Sequence, residues 1–499
     1  MGSGHILAYA FDVLMQIYTS VGYLERDAAE AILEHNLYGL DIDDRAYQLA
    51  YFSVLMKARQ YSRRILRKHP QIHICAIEDS QGLQKWSEVA GQDGNLEQLS
   101  LDDQYVEMAD YLIDTFKDAK EFGSLITVEK RDYQGLLDYI DRMKQQDTGL
   151  FMSAWIQEMA DRMPGLVKQA EILSDTYWAC VTNPPYMSAS NMNPILNQFI
   201  RVKYPDYKSD LFSACIFNFT KLTKPDGYLG FLSPYVWMFI AAYERLRLLF
   251  LNDKTIQSLF QFEYSAFEEA TVPICSFVLF NKHIIKKGNF LRLTDFRGGM
   301  DVQRKKALEA IESHDRKVYY EVYPDRFSEI PGSPIAYWAS DKLLDIFATA
   351  EKLSDIAHPR KGLVTTDNNR FLRFWTEVSI DKLGIGFRNK ENALLSSKKW
   401  FPLNKGGEYR KWYGNNFYVI NWENDGEEIK NTIIKHYHGG SYTKEIRSES
   451  TYFLDSITWS ALTAGNVSFR FSNYGALFDS AGSSMFPLKV LESGEKRHF

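Results

Sequence analysis

Short apolar runs of strand length alternate with longer amphipathic runs along the first part of the chain, and this alternation limits the folds available to it. Strand patterns fall at residues 36–43, 71–77, 177–182, 228–232, 255–264 and 274–280. Helical patterns separate several of these strands. Because strands that alternate with helices form helix-covered parallel sheets, we predict an α/β domain with helices on both faces of its sheet.

The alternation fades beyond residue 300, where the composition changes. Residues 314–340 are rich in Pro, Asp and Tyr and are interpreted as a linker. Residues 341–499 are dense in Trp, Tyr, Gly and Asn and contain short β-like runs, so we predict a second domain of mixed α/β structure. The first domain is predicted to span residues 1–313.

Composition and charge exclude several classes of protein. Of the 499 residues, 45% are apolar and 24% charged, which is typical of a globular protein with large cores. The formal net charge of -6 disfavours a uniformly basic coat, although a local basic groove is compatible with it. No apolar run is long enough to span a membrane, and no signal-peptide pattern opens the chain. We therefore expect a cytoplasmic protein without a membrane partner.

The four cysteines are scattered along the chain without the CxxC spacing of zinc sites. Three of them lie in apolar runs, where they are typical of small core residues. This usage indicates a reducing compartment and no structural zinc. No metal site is predicted elsewhere in the chain.

The most informative motif is Asn183-Pro184-Pro185-Tyr186, which directly follows the predicted strand at 177–182. Parallel sheets bind ligands outside the carboxyl ends of their strands, so the motif stands where a site is expected. Two oxygen acceptors at such a site could activate an amino group such as that of adenine. This group is a poor nucleophile because its lone pair is conjugated with the ring. The Asn183 side-chain oxygen and the Pro184 carbonyl can accept both of its N–H bonds and stabilise the positive charge that develops on nitrogen.

The other residues of the motif support the same chemistry. Pro184 and Pro185 stiffen the backbone, so the two acceptors are held in place before a base arrives. Tyr186 can stack on the face of that base, which must first leave the duplex. The competing interpretation is a rigid Pro-Pro turn without chemistry.

The motif is similar, letter for letter, to the catalytic motif of the amino-methyltransferases of the adenine-N6 class. This resemblance implies a Rossmann-like S-adenosylmethionine-dependent methyltransferase sheet in the first domain. It also implies S-adenosylmethionine as cofactor and an adenine flipped out of double-stranded DNA as substrate.

Two segments near the start of the chain resemble the cofactor-binding parts of that family. Gly2-Ser3-Gly4 resembles the end of the glycine-rich loop, where the absence of side chains lets the backbone approach the methionine part of the cofactor closely. Asp41, which is followed by Ile42, stands where the family's acid binds the ribose hydroxyls. Asp43 is the nearby alternative, and a solvated acid at a strand end is the competing interpretation.

Further family motifs recur in the same order. Residues 116–125 resemble the segment beside the cofactor's adenine, where Asp118 or Ser124 would take the place of the family's acid. A surface helix is the competing interpretation there. Asp210 opens a predicted helix, as the family's cofactor-side motif does. Phe267 is the candidate for the aromatic that packs against the flipped base, although a core Phe between strands would give the same pattern.

Longer stretches of the second domain narrow the resemblance. Residues 360–375, 399–414 and 482–487 resemble the PglX methyltransferases of BREX phage-defence systems. The likeness spans nearly the whole chain. It implies that host DNA is modified at a short asymmetric site while the system blocks phage, with other BREX proteins as partners.

The same part of the chain mixes cations with aromatic rings between residues 396 and 413. Such a mixture suits contact with phosphates together with stacking, whereas a solvated loop is the competing interpretation. The predicted DNA-binding residues are Lys399, Lys405, Arg410, Lys411 and Trp412.

The sequence also departs from the family. The first half of the glycine-rich loop and the first strand of the sheet have no counterpart, because Met1 directly precedes Gly2. We therefore expect the chain by itself to bind S-adenosylmethionine weakly or not at all. Two other functions stay open. One is a catalytically inactive DNA-binding or scaffold component of a defence complex. The other is methylation of protein glutamine, whose enzymes share the Asn-Pro-Pro-Tyr motif, although the basic and aromatic second domain disfavours it.

Overall fold

The computed structural model of the chain describes residues 1–90, 103–145, 150–264, 272–463 and 465–488. The chain divides into two compact units, Met1–Ala348 and Thr349–Phe499. Each unit contains both helices and strands, so the predicted α/β class is confirmed.

The first unit begins with helices that precede its first strand and then alternates between the two kinds of element. Its described helices are α1 (His5–Ser20), α2 (Glu25–Ala31), α3 (Asp44–Tyr61), α4 (Ile65–Lys68), α5 (Trp86–Ala90), α6 (Asp103–Thr115), α7 (Ala119–Phe122), α8 (Tyr133–Met143), α9 (Leu150–Ser174), α10 (Pro194–Lys203), α11 (Leu211–Leu222), α12 (Glu244–Asn252), α13 (Gly299–Ser313) and α14 (Asp341–Thr349). Its described strands are β1 (Tyr38–Asp41), β2 (His73–Ala76), β3 (Tyr177–Thr182), β4 (Thr223–Pro234), β5 (Thr255–Gln261), β6 (Ile274–Phe280), β7 (Gly288–Arg292) and β8 (Tyr319–Val322).

These strands form two sheets. Strands β1 and β2 pair in parallel, and the six remaining strands follow the order β3-β4-β6-β5-β7-β8. Within the larger sheet, β3 is parallel to β4 and β5 to β7, whereas the other neighbours are antiparallel. The sheet is therefore mixed, with parallel pairing at the strand that carries the Asn-Pro-Pro-Tyr motif.

The two sheets lie next to each other, and among the described strands no strand of one sheet is hydrogen-bonded to a strand of the other. Tyr38 is the first residue of β1 and Tyr177 the first of β3, and their ring centroids are 5.0 Å apart. A cavity of about 590 Å³ lies at this junction, and His73 and Lys168 also line it. The amino ends of β1 and β3 are therefore adjacent.

The segment at 314–340, predicted to be a linker, is instead packed into the first unit. Strand β8 lies within it and pairs with β7. Tyr337 is fully buried and donates a hydrogen bond from its hydroxyl to Gln261 (2.8 Å). The buried Arg247 donates to the Gly332 carbonyl from two nitrogens (2.9 and 2.7 Å). The aromatic residues of this segment pack on the sheet of the first unit. The boundary between the two units therefore lies beyond the segment, at 348/349.

The second unit consists of short elements around its own apolar core. Its described helices are α15 (Leu353–Ile356), α16 (Asn368–Phe371), α17 (Lys390–Leu395) and α18 (Glu423–His436). Its described strands are β9 (Ala357–Arg360), β10 (Leu372–Phe374), β11 (Trp400–Asn404), β12 (Tyr418–Asn421), β13 (Ser456–Trp459), β14 (Phe469–Ser472), β15 (Leu477–Phe478) and β16 (Ser484–Pro487). They form two four-stranded sheets with the orders β10-β12-β11-β15 and β14-β13-β16-β9.

Two features bear on the environment of the chain. No helix in the described ranges combines the length and apolar character needed to cross a membrane. The four cysteines are buried with free thiols, in keeping with the prediction that most of them are core residues.

Candidate active site

The Asn-Pro-Pro-Tyr motif follows the last residue of β3, as predicted. Strand β3 ends at Thr182, which is in register with Phe231 of the parallel strand β4. The motif therefore lies at the carboxyl end of a parallel pair. Asn183 is exposed there, whereas the neighbouring Pro184 is buried. This difference fixes the backbone on one side while leaving the amide side chain accessible.

Tyr186 and Asn183 are joined by a hydrogen bond within the motif. The Tyr186 hydroxyl lies 2.7 Å from Asn183 Oδ1 and 3.3 Å from the Leu232 carbonyl, and it donates its single proton to one or the other. Burial raises the pKa of Tyr186 to about 12, so the hydroxyl stays protonated at neutral pH. The contact with Tyr186 fixes the orientation of the Asn183 amide, with its oxygen toward the Tyr186 hydroxyl. That oxygen has a second lone pair, which can accept a hydrogen bond from another donor.

A second oxygen lies one residue further along the motif. Within the described residues, no donor bonds to the Pro184 carbonyl oxygen. The tip of β3 therefore offers two acceptors on adjacent residues, the Asn183 side chain and the Pro184 backbone. Tyr186 packs beside them, half-buried, with its ring edge-on to Phe212 at 6.5 Å between centroids.

Asp210 anchors the segment that follows the motif. Its carboxylate accepts hydrogen bonds from the N–H of Met187 (3.0 Å) and from the N–H of Phe212 (3.3 Å), where it caps α11. Burial raises the pKa of Asp210, and this effect outweighs the opposing backbone hydrogen bonds. The resemblance implied a role on the cofactor side for this residue. The structure shows its carboxylate engaged with the backbone of the motif's own loop.

The glycine-rich start of the chain lies against the acid at the end of β1, as the resemblance implied. The N–H of Gly2 donates to Asp41 Oδ2 (2.7 Å), and the Met1 ammonium lies 3.2 Å from the same oxygen. Gly4 has a φ of 88°, and a Cβ on it would lie 2.7 Å from the Ala50 Cα, so only glycine fits there. Ser3 hydrogen-bonds to His5 rather than to Asp41.

The electrostatics of Asp41 favour its ionised form. Burial alone would raise its pKa, but the N–H of Asp43, the Met1 ammonium and the N–H of Gly2 together hold the pKa of this carboxyl below its ordinary value. Asp43, the alternative acid, caps α3 through the N–H of Arg45 (2.8 Å). Asp41 is thus the acid that faces the glycine-rich segment.

Residues 116–125 border the same end of β1. A Cβ on Gly123 would lie 3.2 Å from the Ile42 side chain, so this backbone passes close to Ile42. Asp118 accepts a hydrogen bond from the Gln81 amide (3.1 Å). The Ser124 carbonyl accepts one from the buried Asn218 (2.7 Å). The segment forms the short helix α7 and a 3-10 turn rather than one long surface helix.

Two residues that hold the 116–125 segment in place were missed by sequence reasoning. Asp79 follows β2 and accepts a hydrogen bond from the N–H of Lys120 (2.9 Å), which holds the 116–125 segment against the sheet. Asn218 ties the same segment to α11. The two acids that follow the predicted strand at 71–77 were a usable signal for Asp79. Asn218 lies in an otherwise apolar helix and gave no comparable signal.

These contacts connect the predicted residues of the first unit into one continuous series of neighbouring segments. Gly2 contacts Asp41, its neighbour Ile42 faces Gly123, and the next residue, Ser124, is bound to α11. Helix α11 in turn begins at the Asp210 cap that holds the motif's loop. Phe267 lies outside the described residues.

Residues 35–267 match the model of the Eco57I restriction-modification methylase family. Along 97% of its length the chain is 37% identical to the adenine-specific methyltransferase PglX of Lacticaseibacillus casei (strain Zhang). It is 34% identical over the same share to the adenine-specific methyltransferase BrxX of Escherichia coli O9:H4 (strain HS). The predicted resemblance to PglX-type methyltransferases is confirmed. The chain spans 40% of the length of each of these two relatives.

Among solved structures, a nuclease-deletion mutant of the Type ISP restriction-modification enzyme LlaGI, in complex with a DNA substrate mimic, aligns with 97% of this chain and 38% of that one. The TM-score is 0.43 and the sequence identity is 12%.

The predicted DNA-binding residues of this PglX-like chain fall into two groups in the second unit. Lys399 pairs with Glu423, and Lys405 pairs with the buried Asp479, each at 3.1 Å. Arg410 and Lys411 are exposed and form no ion pair with another described residue. Of these four cations, Arg410 and Lys411 therefore offer a positive charge that no described carboxylate neutralises.

Trp412 completes the exposed end of this segment. Its side chain is 72% exposed, and its φ of 76° is a conformation that a non-glycine residue rarely adopts. The Lys411 ammonium lies 4.8 Å from the centroid of its ring. An aromatic ring held in solvent beside a cation is suited to stacking on another flat group.

Proposed function

We propose that the chain acts as a site-specific DNA adenine-N6 methyltransferase that uses S-adenosylmethionine and modifies host DNA in phage defence. One observation carries the proposal. Asn183 is exposed at the carboxyl end of β3, beside the Pro184 carbonyl, with its side-chain oxygen hydrogen-bonded to the Tyr186 hydroxyl. The relatives PglX and BrxX, whose names describe adenine-specific methyltransferases, support it along 97% of the chain.

The residues of the motif account for the activation of the adenine amino group. Asn183 Oδ1 and the Pro184 carbonyl accept its two N–H bonds, which draws electron density onto nitrogen and stabilises the charge that develops there. Tyr186 stacks on the extruded base. Its hydroxyl, whose pKa burial raises to about 12, lies 2.7 Å from Asn183 Oδ1 and holds the Asn183 amide in the accepting orientation. The Asp210 carboxylate keeps the loop after the motif in place.

The described residues at the end of β1 fit S-adenosylmethionine. Asp41 is ionised and is suited to accept hydrogen bonds from ribose hydroxyls. Ile42 is 50% exposed and offers an apolar surface for a base. Gly2 adopts positive φ, is exposed and carries no side chain, so the backbone there stays accessible, whereas Gly4 is buried against Ala50. When bound, S-adenosylmethionine supplies the methyl group, activated by its positive sulfur.

The second unit would supply the contact with double-stranded DNA. Arg410 and Lys411 offer charge for phosphates, and Trp412 offers a stacking surface. A defence system that includes other BREX proteins is the setting in which we expect this modification to occur.

The proposal is tested by incubating the chain with plasmid DNA free of adenine methylation and millimolar S-adenosylmethionine, followed by methylation-sensitive long-read sequencing. We expect N6-methyladenine at one short asymmetric sequence. The matched variants are Asn183→Ala, which removes an acceptor, and Asn191→Ala, which changes an exposed asparagine in the loop beyond the motif. Methylation that survives equally in both variants would contradict the proposed role of Asn183.

A second candidate function is DNA binding without catalysis, within a defence complex. Asp41 already accepts hydrogen bonds from the N–H groups of Gly2 and Asp43, which compete with a ribose for its oxygens. Under this alternative, the sequencing experiment gives no methyladenine while the chain still retards duplex DNA in a gel.

A further inference from the structure

A positive charge lies inside the second unit without a negative partner. Arg470 is 2% exposed on β14, between Phe469 and Phe471, whose rings face solvent. Its two terminal nitrogens donate to the hydroxyls of Ser468 (3.1 Å) and Ser460 (3.4 Å), and its Nε has no acceptor. In the part of the chain that the structure describes, no carboxylate pairs with it, and burial lowers its pKa. A guanidinium nevertheless stays charged, so an outside anion would relieve a costly arrangement.

A cavity of about 180 Å³ lies beside the two serines that bind this guanidinium, although Arg470 itself does not line it. The two serines that accept its hydrogen bonds, Ser460 and Ser468, both line the cavity, together with the backbone of Gly407. A hydroxyl that accepts a hydrogen bond still has its own proton to donate, and Ser468 can offer it to a guest. Glu408 also lines the cavity, but its side chain is exposed and can turn outward into solvent.

The cavity adjoins the exposed cations already described. The N–H of Trp412 donates to the Phe469 carbonyl and the N–H of Phe471 donates to the Trp412 carbonyl, each at 2.9 Å. These bonds flank Arg470 on both sides, so the segment with Arg410 and Lys411 runs alongside the buried charge. The region therefore joins one buried cation, two exposed cations and a stacking ring.

We propose that this cavity binds a phosphate of the DNA backbone, with Arg470 behind the two serines as the counter-charge and the Ser468 hydroxyl as a donor, since the Ser460 hydroxyl donates its proton to the Gly407 carbonyl (2.9 Å). The inference rests on the proposed function and adds a positioning site to it. A phosphate fits because it is a compact anion that a cavity of this size can hold. A base edge does not fit, since a guanidinium with almost no exposed surface cannot reach into a groove of the duplex.

The test compares the full chain with Arg470→Met, which removes the charge but keeps a side chain of similar length. Because a buried charge without a partner disappears, we expect the melting temperature to stay equal or rise. Binding to a fluorescent duplex should weaken about tenfold, and the slope of log affinity against log salt should become shallower by about 0.9. The control is Arg388→Met, which removes an exposed cation that stacks on Tyr474, and it should change the affinity less than about twofold.

Each outcome decides between the alternatives. If the full chain binds duplex and Arg470→Met binds it equally well with the same salt slope, the inference is wrong while the proposed function stands. A melting temperature that falls together with affinity would assign Arg470 a structural role and overturn the inference. If inorganic phosphate raises the melting temperature of the full chain but duplex affinity is unchanged in the variant, the cavity is a site for free anions only. A full chain that binds no duplex at any salt concentration overturns both proposals.

Discussion

Replacing Asp210 with alanine should loosen the loop that carries the active-site motif. Alanine removes the cap of α11, a loss of about 1 kcal/mol. It also leaves the partly buried N–H of Met187 without its acceptor, which costs about 1 to 2 kcal/mol. We therefore expect the free energy of unfolding to fall by about 2 to 3 kcal/mol, measured from the urea midpoint and slope by tryptophan fluorescence.

The matched variant is Asp210→Asn, because asparagine caps helices as well as aspartate and keeps an oxygen that accepts both N–H bonds. Its stability should lie within about 0.5 kcal/mol of the wild type near neutral pH. Methylation should fall sharply in the alanine variant and little in the asparagine variant. An alanine variant as stable and as active as the wild type would refute the anchoring role of Asp210.

The pH dependence gives a further check on the same residue. Burial raises the folded-state pKa of Asp210, so its favourable contribution is present at low pH and is lost as the pH rises through that raised pKa. The asparagine variant does not titrate there. Its stability relative to the wild type should therefore increase with pH above the ordinary aspartate value. A difference that stays constant from about pH 3 to 7 would contradict this expectation.

Two further predictions concern other parts of the molecule. Gly4→Ala should lower the free energy of unfolding of the first unit by about 2 kcal/mol, because Gly4 has a positive φ and lies close to the Ala50 backbone. Gly2→Ala, whose new Cβ would meet no neighbour, should lower it by about half as much. Both values come from the same urea assay. Arg410→Ala should weaken duplex binding about fivefold, measured by fluorescence anisotropy, and leave the melting temperature unchanged. Lys405→Ala leaves the buried Asp479 without its ion pair, so it should mainly lower the melting temperature. The reverse pattern would show that the roles of these two cations are misassigned.

The placement of the candidate site could be predicted because its motif is contiguous and follows a strand. Asn183 and Tyr186 are three residues apart, and the apolar run before them predicts the strand that positions both. Asp41 was singled out by the family resemblance at the end of a short apolar run, with Asp43 as the alternative, and the contact between Gly2 and Asp41 favours the first of the two acids. Local sequence is sufficient where the site is local.

Contacts between distant residues could not be predicted in the same way. Lys405 is neutralised by Asp479, 74 residues further along, and nothing in the sequence around either residue indicates the pairing. The rings at 314–340 were interpreted as part of a linker, although Tyr337 is fully buried by the fold. In both cases the partner is set by tertiary packing rather than by local pattern.

The faces of strand β14 differ from what simple strand alternation would give. The sequence Phe469-Arg470-Phe471 would ordinarily place the two rings in the core and the arginine in solvent. The structure has the opposite register, with Arg470 inside and Phe469 46% exposed. The bonds of Trp412 on either side hold this register, and they come from a segment about sixty residues earlier.

The most direct measurement is a structure of the chain bound to a duplex that carries the sequence methylated in the sequencing experiment. The proposed chemistry requires an adenine outside the helix stack, with its amino nitrogen within about 3 Å of both Asn183 Oδ1 and the Pro184 carbonyl and its face against Tyr186. An adenine that remains stacked in the duplex, or one whose amino group contacts neither oxygen, would contradict it.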